Sequence, residues 1–335
     1  MEKYIITNGC SFTRQQWRIG INGTSDDFIR DTRGQWRWPH HIKDIYKDAN
    51  VINLGCPTND NQVIALSTMD MVNKLLKKGI LPSNILVITQ WSESARNSFF
   101  ISKEVSDVYR SQLTYKDRHE NAYAHVSAYL DNCDRGIGKN GYFIQSGGYS
   151  YDHVLYDVVD IFDKVGEYIS PESKLITYFT NILLLQNFLK LHNIDSMSFN
   201  LSYNLNEVGG RNNTFSETYD GIITKNIFKG SYDNPYVQSL FNLIDMESMW
   251  LYDNNDTNNG GITEWAIKTF DKELDKQLFM EHDIADSEMV PNFDEWILMN
   301  DKIDEYPYGH VSEQMNRKFV KTILNKKIEK YLDIK

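Results

Sequence analysis

Short apolar runs alternate along the chain with longer segments in which apolar residues recur at helical spacing. Four runs have the length of buried strands: residues 4–7, 51–54, 85–88 and 196–201. Helical spacing is found in five other stretches: residues 38–46, 63–76, 153–168, 171–192 and 314–331. The run at 85–88 is apolar throughout, as in a parallel sheet that is covered on both faces. The pattern predicts an α/β protein with helices on both sides of a mostly parallel sheet, a three-layer α/β/α sandwich.

Local signals predict where two of these helices begin and end. Asn59 with Gln62 three residues later resembles a capping box, and Gly79 suits the end of the same helix. Ser170 followed by Pro171 is typical of a helix start, because proline is tolerated in the first turn. We therefore expect well-defined helices after the second and third strands.

Three polar regions interrupt the alternation. Residues 14–37 contain several glycines and are predicted to form a loop. Residues 97–150 and 203–236, rich in Asn, Gly and Tyr, are predicted to be insertions over one rim of the sheet. They could equally be surface decoration. We predict a single domain spanning residues 1–335 that carries these two insertions.

Composition excludes several classes of protein. The 41% of hydrophobic residues is enough for a packed core, and the net charge of −11 argues against a generic binder of nucleic acid or anionic membranes. Three cysteines without a CxxC pair indicate neither a disulfide framework nor a zinc site, so we expect a reducing compartment. We also expect no signal peptide, because the N-terminus lacks a long apolar run, and no membrane span.

The candidate chemistry begins where the first strand ends. Ser11 follows Asn8-Gly9-Cys10, so a turn containing glycine delivers a serine just past a buried strand. Such a serine is well placed to be a nucleophile, and the following backbone N–H groups can face an oxyanion. An ordinary strand-to-loop turn would give the same sequence. His310 lies on a Pro/Gly loop just before the last helix, where an imidazole can face a cleft.

Taken together, four segments resemble the sequence blocks of the SGNH (GDSL-like) hydrolase family. The four are residues 8–13 (Asn-Gly-Cys-Ser-Phe-Thr), residues 53–61 after the second strand, residues 89–92 (Thr-Gln-Trp-Ser) and residues 308–313 (Tyr-Gly-His-Val-Ser-Glu). The resemblance covers about residues 1–100 and 170–335. In style it is closest to divergent members encoded by bacteriophages, which implies a place in the bacterial cytoplasm or in the virion.

The resemblance implies the flavodoxin-like fold of that family and an acyl-transfer mechanism without metal or cofactor. Ser11 would be the nucleophile, His310 its base, and Asp304 the acid that orients the imidazole. The oxyanion would be held at Ser11, Thr58, Asn61 and Ser92. By the same analogy the substrate is an O-acylated, for example O-acetylated, carbohydrate.

The blocks depart from the family pattern at several positions. Cys10 stands where aspartate is usual, Thr58 where the family has its oxyanion glycine, and Ser92 where it has asparagine. Pro307 occupies the position of the acid, three residues before His310. These departures keep a second function open, namely a catalytically impaired fold that serves as a phage structural or binding protein, with other virion proteins as partners.

Two further alternatives carry less weight. Cys10 could replace Ser11 as the nucleophile, but adjacent residues at a strand end point in opposite directions, and the resemblance selects Ser11. A flavodoxin-like nucleotide binder is disfavoured because no glycine-rich phosphate loop follows the first strand.

Overall fold

A computed structural model gives the fold of the chain. The residues that it describes are 2–10, 13, 18–19, 28–29, 37–55, 59–92, 97–101, 142–146, 170–201, 233–253, 258–271, 274–275 and 311–334. The helix predicted at 153–168 and most of the two predicted insertions lie outside these residues.

A sheet of five parallel strands forms the middle of the molecule. The strands are β1 (Tyr4–Asn8), β2 (Asn50–Asn53), β3 (Ile85–Trp91), β4 (Asp195–Asn200) and β5 (Met249–Trp250). Their order across the sheet is β2-β1-β3-β4-β5, and every neighbouring pair is parallel. In register, Ile6 of β1 lies between Ile52 of β2 and Val87 of β3. The predicted parallel sheet is confirmed.

The third strand is longer than its apolar run predicted. Thr89, Gln90 and Trp91 continue the pairing with β4, opposite residues 198–200, and all three side chains are buried. Polar residues can occupy these positions because a strand is defined by its ladder of backbone hydrogen bonds rather than by apolar side chains. The apolar run therefore marked only the first part of the strand.

In the described part of the chain, seven α-helices cover the two faces of the sheet. They are α1 (Trp38–Ile45), α2 (Asn61–Lys77), α3 (Pro171–Leu191), α4 (Pro235–Leu243), α5 (Ile262–Thr269), α6 (Glu313–Phe319) and α7 (Asn325–Leu332). A five-residue π-helical segment, Val320–Leu324, joins α6 to α7. The three-layer α/β/α arrangement predicted from the sequence is confirmed.

Each face of the sheet has its own hydrophobic cluster. Ile5, Ile88 and Phe199 point towards α1, α5, α6 and α7. Ile6 and Val87, one position along their strands, point towards α2, α3 and α4. Because successive residues of a strand face opposite sides, strands that are covered on both faces must be apolar at nearly every position, as these are.

The second helix begins one residue later than its capping box predicted. Asp60 is the N-cap, and its carboxylate accepts a hydrogen bond of 2.9 Å from the N–H of Val63. Aspartate also complements the positive end of the helix dipole. The side chain of Asn59, the predicted cap, donates instead to the carbonyl of Gly9. The predicted start at Ser170 is confirmed, because its hydroxyl accepts from the N–H of Ser173.

Short antiparallel strand pairs lie outside the central sheet. Arg18–Ile19 pairs with Phe28–Ile29, so the prediction of a loop across residues 14–37 was wrong for these four residues. Asn97–Ile101 pairs with Tyr142–Ser146 inside the insertion predicted at 97–150. The helix α4 begins at the end of the segment predicted as the second insertion.

The last helix ties the C-terminus of the chain to the first strand. The hydroxyl of Tyr331 accepts a hydrogen bond from the N–H of Tyr4 at 3.1 Å and donates to the carbonyl of Tyr4 at 3.0 Å. Lys3 donates to the carbonyl of Tyr331 and lies over its ring. One phenol thus binds both the backbone N–H and the backbone carbonyl of Tyr4 in β1.

The closing helix carries several basic residues. Those at positions 317, 321, 326 and 330 are exposed. Lys318 differs, since its ammonium lies 2.8 Å from the buried carboxylate of Asp275 and also donates to the carbonyl of Thr269.

Among the described helices, none combines the length and the apolar character that a membrane crossing requires.

Replacing the Tyr331 hydroxyl is expected to destabilise the protein. Tyr331→Phe removes the partner of the N–H and of the carbonyl of Tyr4, which are partly buried, and we expect a loss of about 1–3 kcal/mol in the free energy of unfolding. Urea denaturation measures this loss, and the slope of the unfolding free energy against urea concentration should not change. Tyr236→Phe, on a side chain that is 75% exposed, is the control. A loss for Tyr331→Phe no larger than that of the control would contradict the role of the hydroxyl.

Packing of α1 against α6 buries a histidine. His41 is fully buried, and the Arg317 guanidinium of α6 lies 3.3 Å from the carboxylate of Asp44. Burial, together with the positive charges of Arg317 and His40, lowers the pKa of His41 to about 4, while the Glu313 carbonyl and the Asp44 charge act in the opposite direction. The imidazole is therefore neutral in the folded protein at pH 7.

Acid is expected to weaken the fold through this histidine. The unfolded chain takes up the proton near pH 6.5, whereas folded His41 resists it down to about pH 4. Stability therefore falls as the pH drops through this window, by about 2–3 kcal/mol at pH 4.5. Urea titrations at pH 7 and pH 4.5 should show this extra loss in the wild type and in His192→Gln but not in His41→Gln. An equal loss in all three proteins would contradict the assignment.

Candidate functional site

The strand order predicts a crevice between the ends of β1 and β3. From β1 the chain crosses through α1 to β2 on one side, and then through α2 over the opposite face to β3 on the other side. The connections that leave β1 and β3 therefore run in opposite directions. In open α/β sheets, ligands bind at the carboxyl ends of the strands where the order reverses in this way.

Two of the six predicted site residues lie within the described part of the chain. Asn61 opens α2 and Ser92 follows β3, and both are buried beside the crevice. The other predicted residues, Ser11, Thr58, Asp304 and His310, lie outside the described residues, so their roles stay predictions.

Asn8 fixes the end of β1 against α2. Its amide nitrogen donates to the carbonyl of Ile64 and to the hydroxyl of Thr68, both at 2.9 Å, and to the hydroxyl of Ser67 at 2.8 Å. Its amide oxygen accepts from the N–H of Gly9 at 2.8 Å. Because this buried amide uses both of its ends, the exit of β1 has one orientation relative to the helix.

Gly9 occupies a position where no side chain fits. A Cβ atom built on it would lie 2.1 Å from the hydroxyl of Thr13 and 3.1 Å from the Cβ of Gln90. The carbonyl of Gly9 accepts a hydrogen bond of 3.1 Å from the amide of Asn59. The glycine thus allows the chain after β1 to lie directly against both the β3 end and the start of α2.

The chain turns back immediately after Gly9. The N–H of Thr13 donates to the carbonyl of Cys10 at 3.0 Å, the spacing of a β-turn. The Thr13 hydroxyl donates to the side-chain oxygen of Gln90 on β3, and the Thr13 carbonyl accepts from the amide of Asn53 on β2. Thr13, which follows Ser11 and Phe12, is therefore held by both β2 and β3.

Cys10 is fully buried in the hydrophobic cluster on the α1 face. A thiol needs access to substrate to act as a nucleophile. This burial argues against the alternative in which Cys10 replaces Ser11.

Asn61 and Ser92 bind each other rather than standing apart. The amide oxygen of Asn61 accepts from the N–H of Ser92 at 2.8 Å, and its amide nitrogen donates to the carbonyl of Ser92 at 3.2 Å. This two-bond contact fastens the end of β3 to the first turn of α2.

The residues after His310 are well anchored. Val311 is 2% exposed and belongs to the hydrophobic cluster that contains Cys10. The hydroxyl of Ser312 caps α6 by accepting from the N–H of Met315 at 3.2 Å. The segment that carries His310 in the sequence therefore joins the same layer as the residue that precedes Ser11.

Several residues that build this edge were missed by sequence reasoning. Asn8, Asn53 and Gln90 each follow or end a strand and hold the turns together through their amides. Their shared signal is an amide residue at the carboxyl end of an apolar run. Within the described ranges, no three His, Cys, Asp or Glu side chains come together in a group that could bind a metal ion.

Filling the space at Gly9 is expected to disrupt the turn. Gly9→Ala should destabilise the protein by about 1–3 kcal/mol, because the new methyl group overlaps the Thr13 hydroxyl. Urea denaturation in the wild-type and Thr13→Ala backgrounds forms a double-mutant cycle. The cost of Gly9→Ala should be smaller once the hydroxyl is absent, and an equal cost in both backgrounds would show that the contact is not what excludes a side chain.

Comparison of the chain with protein-family models, with curated proteins and with solved structures found no match. The features on which a function can be proposed are therefore the four sequence blocks and the way in which the described residues of these blocks meet at one edge of the sheet.

Proposed function

We propose that the protein is a serine hydrolase of the SGNH type that cleaves ester bonds at the crevice between β1 and β3. One observation supports this most directly. The segments at residues 8–13, 53–61 and 89–92, far apart in the sequence, are hydrogen-bonded to one another through Asn59 and Gly9, Thr13 and Gln90, and Asn61 and Ser92. A nucleophile, its oxyanion donors and its supporting residues need this kind of convergence.

In the proposed reaction, the Ser11 hydroxyl attacks the ester carbonyl while His310 takes up its proton. Asp304 orients the imidazole and stabilises its positive charge. His310 then gives the proton to the leaving alcohol. A water molecule, activated by the same imidazole, attacks the acyl-enzyme, releases the acid and restores Ser11.

The oxyanion that forms during both steps needs hydrogen-bond donors that are already in place. The backbone N–H groups of Ser11 and Thr58 are proposed as the principal donors. The resemblance of the sequence blocks adds Asn61 and Ser92 as supporting donors. Because Asn61 and Ser92 are fixed to each other, their donors would need no reorganisation when the charge develops.

The proposed substrate is an O-acylated carbohydrate, for example an O-acetylated sugar. This choice follows from the resemblance of the sequence blocks to the family. The competing proposal is a binding or structural protein of a virion that keeps the fold without turnover, and the departures at Cys10, Thr58, Ser92 and Pro307 are its support.

Loss of the Ser11 hydroxyl is expected to abolish turnover. With p-nitrophenyl acetate as substrate, Ser11→Ala should lower kcat/KM at least about 100-fold, because no nucleophile remains. Ser83→Ala, which removes an exposed hydroxyl before the amino end of β3, is the control and should retain most of the activity. The two variants should unfold at temperatures close to that of the wild type.

A fluorophosphonate probe gives an independent measurement, since it forms a covalent bond with an activated serine. Mass spectrometry should place the label on Ser11 and find none on Ser11→Ala. Equal turnover by the wild type and Ser11→Ala, without labelling, would exclude the serine mechanism and favour the binding or structural protein.

A further inference from the structure

Two buried hydrogen-bond donors at the ends of β3 and β4 have no acceptor. Trp91 and Asn200 are partners in the parallel register, and both point towards α3. Their side chains are 1% and 0% exposed, yet the indole Nε1 of Trp91 and the amide Nδ2 of Asn200 bind no group in the part of the chain that the structure describes. Leaving a buried donor unsatisfied costs about 1–3 kcal/mol, so such donors usually mark the place of an absent acceptor.

The next pair of residues down the same face is also polar. Thr89 and Ser198 are register partners, and their buried hydroxyl oxygens likewise have no hydrogen-bond partner. Neighbouring strands lie about 4.8 Å apart, so these four side chains start from adjacent positions on one face of the sheet. The face between the ends of β3 and β4 is thus polar where the rest of it is a hydrophobic core.

The Asn200 amide is oriented so that it offers a donor. The hydroxyl of Tyr178 on α3 donates to its amide oxygen at 2.7 Å, and the other end of the amide, its nitrogen, is a donor. An indole nitrogen can only donate. The pair of Trp91 and Asn200 therefore selects a ligand atom that accepts hydrogen bonds.

A positive charge lies above this pair. The helix α3 runs antiparallel to β4, so it begins at the carboxyl edge of the sheet, and Tyr178 lies at the level of Asn200. Lys174 is one turn earlier on the same face of α3, about 6 Å further along the helix axis. It forms no ion pair with any described residue, and burial lowers its pKa. The positive end of the α3 dipole lies at the same edge.

We propose that Trp91, Asn200 and Lys174 form a subsite for a carboxylate group, next to the crevice between β1 and β3. The two neutral donors and the ammonium together match one carboxylate, whose single negative charge the lysine balances. A phosphate dianion would leave a negative charge uncompensated in a buried place, which is costly. Resting on the proposed function, this subsite makes the substrate an ester of an acidic, carboxylate-bearing sugar.

Binding can be measured without turnover in the Ser11→Ala protein. Sodium glucuronate and its neutral counterpart glucuronamide are titrated at equal ionic strength, and binding is followed by the thermal shift and by calorimetry. We expect glucuronate to bind at least about tenfold more tightly than the amide. Adding Lys174→Met should abolish this preference, whereas Lys190→Met, which removes an exposed lysine near the other end of α3, should not.

Two results would overturn the subsite. One is equal binding, or no binding, of glucuronate and glucuronamide, which would mean that the buried donors hold only water. The other is an unchanged preference in the Lys174→Met protein. Because Lys174 is partly exposed at a helix end, its replacement is expected to leave the protein folded, so either result can be interpreted.

An activity measurement separates this proposal from the proposed function. In the wild type, kcat/KM for the mono-4-nitrophenyl ester of succinic acid should fall about tenfold on Lys174→Met, with little change for p-nitrophenyl acetate. Glucuronate binding without hydrolysis of either ester would leave the subsite standing and refute the hydrolase. Hydrolysis that depends on Ser11, combined with equal binding of glucuronate and its amide, would support the hydrolase and refute the subsite.

Discussion

The pairing of β1 with strands on both of its sides is the constraint on which the rest of the structure depends. Its backbone is shared between β2 and β3, so neither neighbour can shift without breaking a ladder in the middle of the sheet. Both ends of the strand are also held, by the phenol of Tyr331 at the start and by the amide of Asn8 at the end. The carboxyl end of β1, beside the predicted crevice, is therefore held in a fixed position.

The layered fold could be predicted from the sequence because its determinants are local and repetitive. A strand covered on both faces must be apolar at nearly every position, and helices must be apolar at every third or fourth, so both leave a clear periodicity. The residues at which the strands end were harder to predict. The pairing of Gln90 with Phe199 decides that β3 continues beyond its apolar run, and a partner more than a hundred residues away leaves no mark on the local pattern.

The candidate site, like the fold, could be predicted only in part. The order of the blocks indicated which loops would meet, but not which side chains would hold them together. Asn59 could cap a helix or reach Gly9, and only the three-dimensional arrangement gives the cap to Asp60 and frees Asn59 for the strand end. Amides have a donor and an acceptor and serve many partners equally well, so their pairing depends on geometry rather than on residue type.

The π-helical segment between α6 and α7 has a consequence for the phase of the closing helix. Along an unbroken α-helix, Tyr331 would lie about 160° around the axis from Met315, almost on the opposite side. Both residues nevertheless belong to the same buried cluster. The wider turns of Val320–Leu324 rotate the chain less per residue and bring the two faces back towards alignment. If the same residues formed an unbroken α-helix, the phenol would point away from the first strand, so the irregular turn acts as a correction of helical phase that lets Tyr331 reach Tyr4.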